Sequence, residues 1–222
     1  MKVLAASERQ LLQEGLEQLE LPASAAQLDW YEEYVHELQV WGQRVRLISG
    51  STRDIVVRHI LDSLAPWWQI STYLGGKNSW SLADIGSGNG FPGLALAGVF
   101  PGAHFYLVER SPKKAAFLRS TAGVLSLKER VQVEELDVRE FGQRVPLLIS
   151  RAFMPMAKAY PLLQPLLPPE GGLMIFYAGR RLTIDKQFEQ MPELKASTEV
   201  VPINVPFLEE QRHLCTIHCE HF

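Results

Sequence analysis

The sequence is poor in cysteine and has no apolar run as long as a membrane span. Its two cysteines, Cys215 and Cys219, fall within one apparent strand, where same-face neighbours are poorly placed to form a disulfide. The amino-terminal residues also lack the apolar core of a signal peptide. From these absences we predict a soluble protein of the reducing cytoplasm.

The sequence also lacks a strong charge of either sign, internal repeats and low-complexity tracts. Its formal net charge of −3 argues against a broadly basic nucleic-acid binder but leaves room for a local basic patch. With 46% hydrophobic residues in a chain of 222, one full core can be buried. We predict a single compact unit, and we expect it to be monomeric, without a metal and without a membrane partner.

The first part of the chain, residues 1–75, has helical periodicity and predicts a helical extension packed on the core. A first helix capped by Ser7, a second capped by Ser24 and a third after Ser51 are predicted. Aromatic residues on the second helix should belong to the core. A glycine-containing turn at 75–78 is expected to end this part.

From Trp80 onward the pattern alternates between strand and helix, which is typical of a parallel sheet covered on both faces. We predict an α/β fold in which residues 76–222 form a mostly parallel, seven-stranded sheet with helices on both faces. The strands are predicted at about 80–85, 103–109, 131–136, 146–150, 172–178, 197–203 and 211–219, and the helices at about 91–99, 112–125, 155–167 and 183–190. No helix is predicted between the last two strands, so they should form an antiparallel hairpin.

A glycine-rich stretch joins the first predicted strand to the helix that follows. Glycines at such a turn let backbone N–H groups approach a ligand that a Cβ would block, and proline suits the first helical turn. The stretch therefore predicts a site for a nucleotide-like cofactor. Its candidate binding residues are Asp84, Gly86, Ser87, Gly88, Gly90, Phe91 and Pro92.

Asp84 favours one class of cofactor over another. The spacing Gly88-x-Gly90-x-x-Gly93, with Glu109 farther along, formally matches a dinucleotide fingerprint. A carboxylate beside the turn would repel a pyrophosphate, whereas S-adenosylmethionine carries an ammonium and a sulfonium. Glu109 could accept both ribose hydroxyls. We therefore predict S-adenosylmethionine as the cofactor, and the alternative for Asp84 is a turn or helix cap.

Two further candidates follow the third predicted strand, where an adenine edge would be read. Asp137 and Val138 occupy this position. Asp137 could equally be a simple turn residue, so both interpretations stay open.

Several segments resemble one family. The stretch from Asp84 to Gly93 looks like that of a class I S-adenosylmethionine-dependent methyltransferase with a Rossmann-like sheet. The segments Val57–Ser63, Ser150–Phe153 and Gln211–Leu214 narrow this resemblance to the bacterial ribosomal RNA small subunit methyltransferase G family, also called the glucose-inhibited division protein B family. It implies methyl transfer to N7 of a guanine in the 530 loop of 16S rRNA, either in the rRNA or in an assembling small ribosomal subunit.

The resemblance runs from about Trp41 to the carboxyl terminus, with three departures. The family's usual lysine after the fifth strand is Ala178 here, so its role would pass to Arg180 or Arg181 or be absent. A usual Asn-Leu pair is Arg46-Leu47, and the glutamate before the final arginine is Gln211. These departures bear on the site residues more than on the function.

The residues after the fourth predicted strand fit a nucleophile that has no proton to lose. Enzymes that methylate exocyclic amines usually have an Asn/Asp-Pro-Pro-aromatic turn there, whereas this chain has Ser150-Arg151-Ala152-Phe153. Guanine N7 needs positioning and desolvation rather than a general base. We predict that Arg151 positions substrate or cofactor away from the line of attack. The alternative is an ion pair of Arg151 with Asp62 or Glu109.

Cations that follow the second, fourth and fifth predicted strands, with Arg151 after the fourth, predict an RNA surface at the carboxyl edge of the sheet, where ligands of open α/β sheets bind. The alternative is a set of solvated surface charges. The predicted RNA-contacting residues are Arg53, Arg58, His59, Lys113, Lys114, Arg180, Arg181 and Arg212, and Arg44 and Arg46 could extend the surface.

Three other functions stay open at this point. The same scaffold could methylate a small molecule beneath a lid that includes Trp67 and Trp68. It could also bind the cofactor as a regulatory module without catalysis. A dinucleotide oxidoreductase is the most distant alternative.

Overall fold

The computed structural model describes residues 4–42, 50–74 and 80–219, and all structural statements concern these ranges. The predicted turn at 75–78 and the candidates Arg44 and Arg46 lie outside the described residues. The predicted boundary between the extension and the core, at residues 75 and 76, lies outside them too.

The first part of the described chain is helical, as predicted. Its elements are α1 (Ala6–Gln18), α2 (Ala25–Gly42), α3 (Thr52–Asp54), a π-helix (Ile55–Leu61), α4 (Asp62–Leu64) and α5 (Trp67–Tyr73). Ser24 caps α2, because its Oγ accepts the Gln27 N–H at 3.2 Å. The predicted Ser7 cap is wrong: the N-cap of α1 is Ala5, two residues earlier, and Ala5 supplies no side-chain cap.

The third predicted helix begins with a complete capping box. The Ser51 side chain accepts the Asp54 N–H, and the Asp54 carboxylate accepts the Ser51 N–H. The chain then winds into a π-helix of seven residues before it returns to α geometry. A π-helical segment was not predicted.

The second part forms a seven-stranded sheet, which confirms the predicted α/β class. The strand order is β3-β2-β1-β4-β5-β7-β6, with β1 to β5 parallel and β7 antiparallel to both of its neighbours. The predicted final hairpin is therefore confirmed. The strands are β1 (Trp80–Ile85), β2 (Ala103–Val108), β3 (Val131–Glu134), β4 (Leu147–Arg151), β5 (Gly172–Ala178), β6 (Thr198–Ile203) and β7 (Arg212–Cys219).

The helices of this part are close to the predicted ones, with two differences. They are α6 (Gly93–Ala97), α7 (Pro112–Val124), α8 (Met156–Leu163), α9 (Arg181–Gln190) and α10 (Pro192–Ser197). The predicted helix at 155–167 ends as a 3₁₀ turn at Gln164–Leu166, with Pro165 lacking the N–H that would extend the helix. The short α10 was not predicted, since six residues carry too little periodicity to be recognised.

Two apolar clusters cover the two faces of the sheet. One contains side chains of α1, α2 and the π-helix together with β1, β2, α6 and α7, and the other contains α8 and α9 with the opposite face. Tyr31 and Tyr34 of α2 are fully buried, as expected for core aromatics. Their hydroxyls donate to the carbonyls of Ala95 and Asn89, which ties the helical part to the segment after β1.

Candidate functional site

The turn after β1 is held closed by backbone hydrogen bonds to the neighbouring strand. The N–H groups of Gly86 and Ser87 both donate to the carbonyl of Val108, at 2.9 and 3.1 Å. The buried Ser87 hydroxyl donates to the Asp84 carbonyl at 2.8 Å. Ser87 therefore shapes the turn by folding its side chain back onto β1.

The glycines of the turn serve two different purposes. A Cβ on Gly90 would meet Leu94 and the Tyr34 hydroxyl, and one on Gly93 would meet Leu107 and Asp84. These two glycines are required for packing. Gly88 differs, since no atom lies closer than 3.7 Å to a Cβ built there, and only its φ of +56° disfavours other residues.

Gly86 lies directly beneath an aromatic ring from the segment after β4. Its φ is +73°, and a Cβ there would come within 2.5 Å of the Phe153 ring. The absence of a side chain thus lets Phe153 lie on the glycine turn.

Asp84 is completely buried at the end of β1. One carboxylate oxygen accepts the Gly93 N–H at 2.9 Å, at the start of α6, while the other has no hydrogen-bond partner among the described residues. Burial raises the pKa of Asp84 to about 7, against the lowering effect of the Gly93 N–H. The structure thus places Asp84, which was predicted to bind the cofactor, behind the turn. It caps α6 and has one oxygen without a hydrogen bond to a described residue.

Glu109, immediately after β2, is hydrogen-bonded to the same turn. Its two carboxylate oxygens accept the N–H groups of Gly88 and Ser111, at 3.0 and 2.8 Å. Each oxygen keeps a second lone pair, so Glu109 can still accept hydroxyl groups from a ligand.

A cavity of about 290 Å³ lies at the carboxyl ends of β1 to β4. Four predicted cofactor residues line it, namely Gly86, Glu109, Asp137 and Val138. The remaining lining residues are Val108, Arg110, Lys114, Leu136, Arg139, Ala152, Phe153, Met154 and Leu162. Arg110 and Arg139 were not predicted to belong to this site, and Lys114 was predicted for the RNA surface instead.

Asp137 has the turn role that the sequence left open. Its carboxylate caps the 3₁₀ turn at Val138–Glu140 by accepting the Arg139 N–H at 3.1 Å. Its place on the cavity wall is compatible with a ligand contact as well.

Phe91 and Pro92, which were predicted to bind the cofactor, are not on the lining of this cavity. The buried Phe91 ring lies 5.1 Å from the Tyr34 ring and 5.3 Å from the His59 ring, and it precedes a cis peptide bond to Pro92. Phe91 therefore joins the glycine turn to α2 and the π-helix.

Arg151, at the end of β4, points toward the π-helix and α4. Its guanidinium contacts Asp62 Oδ2 and Ser63 Oγ, both at 3.1 Å. It also donates to the Arg58 carbonyl at 3.0 Å and lies 2.8 Å from His59 Nδ1. The alternative interpretation, an ion pair with Asp62, is the one that the structure shows.

Asp62 is the carboxylate that joins two arginines. Besides Arg151 it binds Arg212 of β7, with 2.9 Å between Asp62 Oδ1 and Arg212 Nε. Burial raises the pKa of Asp62, and the two arginines oppose that rise. The pair of contacts connects α4, β4 and β7 at the carboxyl edge of the sheet.

His59 is a neutral acceptor in this arrangement. Burial and the adjacent Arg151 lower its pKa to about 4, so Arg151 donates to the unprotonated Nδ1 at neutral pH. His59 is therefore neutral at pH 7, and its contact with RNA stays a prediction.

Three of the predicted RNA-binding cations form ion pairs with carboxylates. Arg58 pairs with Asp54 and Glu210, at 3.2 and 2.6 Å. Arg181 pairs with Asp185 at 3.0 Å, and Arg212 with Asp62 as above. Within the described ranges, no ion pair is formed by Arg53, Lys113, Lys114 or Arg180. Lys114 lines the cavity of about 290 Å³.

A second, larger cavity of about 750 Å³ lies beside the first, toward β5 and β7. The two share Ala152, Phe153 and Met154 as a common wall. Arg58, Asp62, Arg151 and Arg212 also line the larger one. This cavity was not predicted, because its walls come from segments far apart in the chain.

Neither a metal centre nor a membrane span is found in the part of the chain that the structure describes. No three His, Cys, Asp or Glu residues are grouped to hold a metal ion. No described helix is long and apolar enough to cross a bilayer.

Comparisons with known proteins agree with one another. The family model described as rRNA small subunit methyltransferase G matches residues 27–215. Proteins named ribosomal RNA small subunit methyltransferase G are similar to this chain. The one from Treponema pallidum (strain Nichols) is 34% identical over 96% of this chain and 95% of its own length, and the one from Vibrio vulnificus 31% over 93% and 94%.

Solved structures share the fold. A human methyltransferase 10 domain containing protein superposes with a TM-score of 0.58 at 9% identity, covering 85% of this chain and 97% of that one. A SAM-dependent O-methyltransferase from Thermotoga maritima gives a TM-score of 0.55 at 16% identity, covering 85% of this chain and 72% of that one. At these identities the likeness concerns the fold alone.

Proposed function

This chain belongs to the rRNA small subunit methyltransferase G family, and we propose that it methylates N7 of a guanine in the 530 loop of 16S rRNA. S-adenosylmethionine is the methyl donor. The target atom and its place in the rRNA are proposals, as are the cytoplasmic location and the monomeric state.

The residues at the smaller cavity fit this cofactor. The Glu109 and Asp137 carboxylates on the cavity wall can accept hydroxyl or amine hydrogens. Asp84 does not line the cavity, but its unsatisfied, buried oxygen favours a cation nearby. Gly86 and Gly88 would hold the cofactor at the turn, Glu109 its ribose, and Asp137 with Val138 its base.

The proposal for N7 rests on one observation: every described titratable group at the end of β4 is already bound to another protein group. Arg151 is bound to protein acceptors, Asp62 to two arginines, and His59 Nδ1 to Arg151. Among the described residues there, none is free to remove a proton, and guanine N7 has none to remove. Arg151 is also prevented from hydrogen bonding to the N7 lone pair.

The protein's part in the reaction is therefore positioning and desolvation. When bound, the cofactor supplies a methyl group on a sulfonium: the N7 lone pair forms the new N–C bond as the S–C bond breaks, and no proton is released. The two cavities adjoin at the segment Ala152–Met154, which lines both, so a nucleophile in one would lie next to a methyl donor in the other.

The proposal is tested by methylation in vitro. Purified protein is incubated with S-adenosylmethionine and with small ribosomal subunits, or 16S rRNA, from cells that lack the gene, and the rRNA is digested and examined by mass spectrometry. We expect one N7-methylguanosine, located in the 530 loop. A methyl group on another atom, or transfer only to a small molecule, would contradict it.

For the RNA surface we propose the exposed cations after β2 and β5 and at the start of α3. Arg53, Lys113 and Arg180 are exposed and form no ion pair with described residues, and Arg181 is exposed beside Asp185. A modest patch of this kind suits recognition of folded RNA by its shape.

Charge reversal tests this surface. We expect Arg180→Glu/Arg181→Glu to weaken rRNA binding and to lower the salt dependence of log K by about 0.7 to 0.9 for each phosphate that is no longer neutralised. Arg119→Glu/Lys128→Glu is the control, with both positions away from the two cavities. Unchanged binding and salt dependence in the first variant would exclude this surface.

A further inference from the structure

The larger cavity adjoins the smaller one, which is the proposed cofactor site. Its residues Ala152, Phe153 and Met154 belong to the smaller cavity as well. A group held in the larger cavity thus lies next to a ligand of the smaller one, at the segment that follows β4. Its volume of about 750 Å³ is within the range of small-molecule sites and exceeds the need of one nucleobase.

The lining suits a flat aromatic ring with a polar edge. Phe153, Phe176 and Met154 provide apolar surface, while Arg58, Arg212 and Asp62 provide charge. Aromatic side chains stack on unpaired bases in RNA-binding proteins. This combination fits a base that remains attached to an anionic backbone.

Gln187 of α9 lies on the lining of this cavity and has a hydrogen-bond donor without a described acceptor. Its Oε1 accepts the Met156 N–H at 2.5 Å, which fixes the orientation of the amide because only the oxygen can accept. The Nε2 group therefore points elsewhere, and no described residue accepts its hydrogens. Gln187 lines the cavity and is half-buried.

We propose that the larger cavity receives the target guanine, turned out of its RNA stack, and that Gln187 Nε2 donates to guanine O6. This inference rests on the proposed function. In A-form RNA the N7 edge lies in a deep, narrow groove that side chains do not reach, so a guanine must leave the stack to be methylated there. A donor at O6 recognises the atom next to N7 and leaves N7 free.

Gly179 is a position on the cavity lining where a larger side chain tests the cavity without a clash at its Cβ. It lines the cavity, and a Cβ built on it meets no atom within 4 Å. Gly142 has the same open surroundings and lies outside the cavity, so Gly142→Trp is a matched control for Gly179→Trp. We expect Gly179→Trp to lose about 100-fold in rRNA methylation, with thermal midpoint and S-adenosylhomocysteine affinity unchanged. Methylation equal to that of Gly142→Trp would overturn the assignment of the cavity.

Gln187→Glu tests the donor separately from the structural role. The carboxylate still accepts the Met156 N–H, but it offers no hydrogen to O6. We expect kcat/KM to fall about tenfold or more on guanine. On rRNA with 2-aminopurine at the target position, which keeps N7 and lacks O6, wild type and variant should be equally slow. An equal loss on both substrates, or no loss on guanine, would overturn the role of Gln187.

These results are distinguishable from failure of the proposed function. If the wild type forms no N7-methylguanosine, the function itself is wrong. If the wild type forms it and both variants match it, only the place of the guanine is wrong.

Discussion

At the scale of single residues, we expect Asp84 to link cofactor affinity to pH. With a pKa raised to about 7, the carboxyl must lose its proton to stabilise a cationic ligand. We expect S-adenosylhomocysteine affinity to weaken by up to about tenfold from pH ~7 to ~6, and to stay nearly flat in Asp84→Asn, which binds more weakly throughout. Isothermal titration calorimetry measures both. A flat wild-type profile would show that Asp84 acts only as a cap of α6.

The same residue gives a prediction about stability. Because the folded-state pKa lies above the ordinary value of 3.8, the folded state keeps a proton that the unfolded state loses between pH ~4 and ~7. Asp84 should therefore lower the free energy of unfolding as pH rises through this window, by up to about 1.4 kcal/mol per pH unit. Urea unfolding of wild type and Asp84→Asn measures the difference in slope. Parallel profiles would rule out the raised pKa.

The positions of the two site carboxylates were predictable from the sequence, and their partners were not. Asp84 and Glu109 end neighbouring parallel strands, so their proximity follows from the strand pattern alone. Their hydrogen bonds to backbone N–H groups depend on the path of the turns, which no local pattern specifies. The same limit applies to Arg151, for which the sequence allowed both a ligand contact and an ion pair.

At the scale of elements, the π-helix and the end of β4 form one unit. Arg151 reaches two backbone carbonyls, Ser63 Oγ, His59 Nδ1 and Asp62, so one side chain fixes the π-helix and α4 against the sheet. The capping box at Ser51 was readable from the sequence as a helix start. The π-helix was not, because seven residues of apolar pattern do not distinguish its period from that of an α-helix.

Removing the guanidinium tests this unit. Arg151→Met leaves Asp62 with one cation and the π-helix carbonyls without donors, so we expect a loss of about 3 kcal/mol in the free energy of unfolding. Arg119→Met is the control, since its pair with Glu135 is solvent-exposed and should contribute less than about 1 kcal/mol. Urea denaturation compares them. Equal losses of unfolding free energy in the two variants would show that the Arg151 contacts do not stabilise the π-helix and α4 against the sheet.

At the scale of the whole molecule, the topology was predictable and the contacts across the chain were not. Alternating strands and helices predicted the parallel sheet, and the missing helix before β7 predicted the hairpin. The larger cavity depends on packing between α4, α9, β5 and β7, which no local pattern encodes. The structure therefore adds a second cavity beside the one for which the sequence had predicted four of the lining residues.

The shared apolar cluster predicts cooperative unfolding. Side chains of α1 and α2 pack with those of β1, β2 and α7, and Trp30 Nε1 donates to the Leu125 carbonyl at 3.2 Å. We expect tryptophan fluorescence and far-UV circular dichroism to report one coincident urea transition. A transition of one signal at a lower urea concentration would indicate that the helical extension unfolds separately from the sheet.

The product on which the proposed function depends is N7-methylguanosine in the 530 loop of 16S rRNA. The most direct measurement is mass spectrometry of 16S rRNA from cells that lack the gene, compared with the same cells complemented by wild type or by Asp84→Asn. We predict that N7-methylguanosine at this loop is absent without the gene, is restored by the wild type, and is restored less or not at all by the variant. An unchanged N7-methylguanosine content in the cells without the gene would contradict the proposed function.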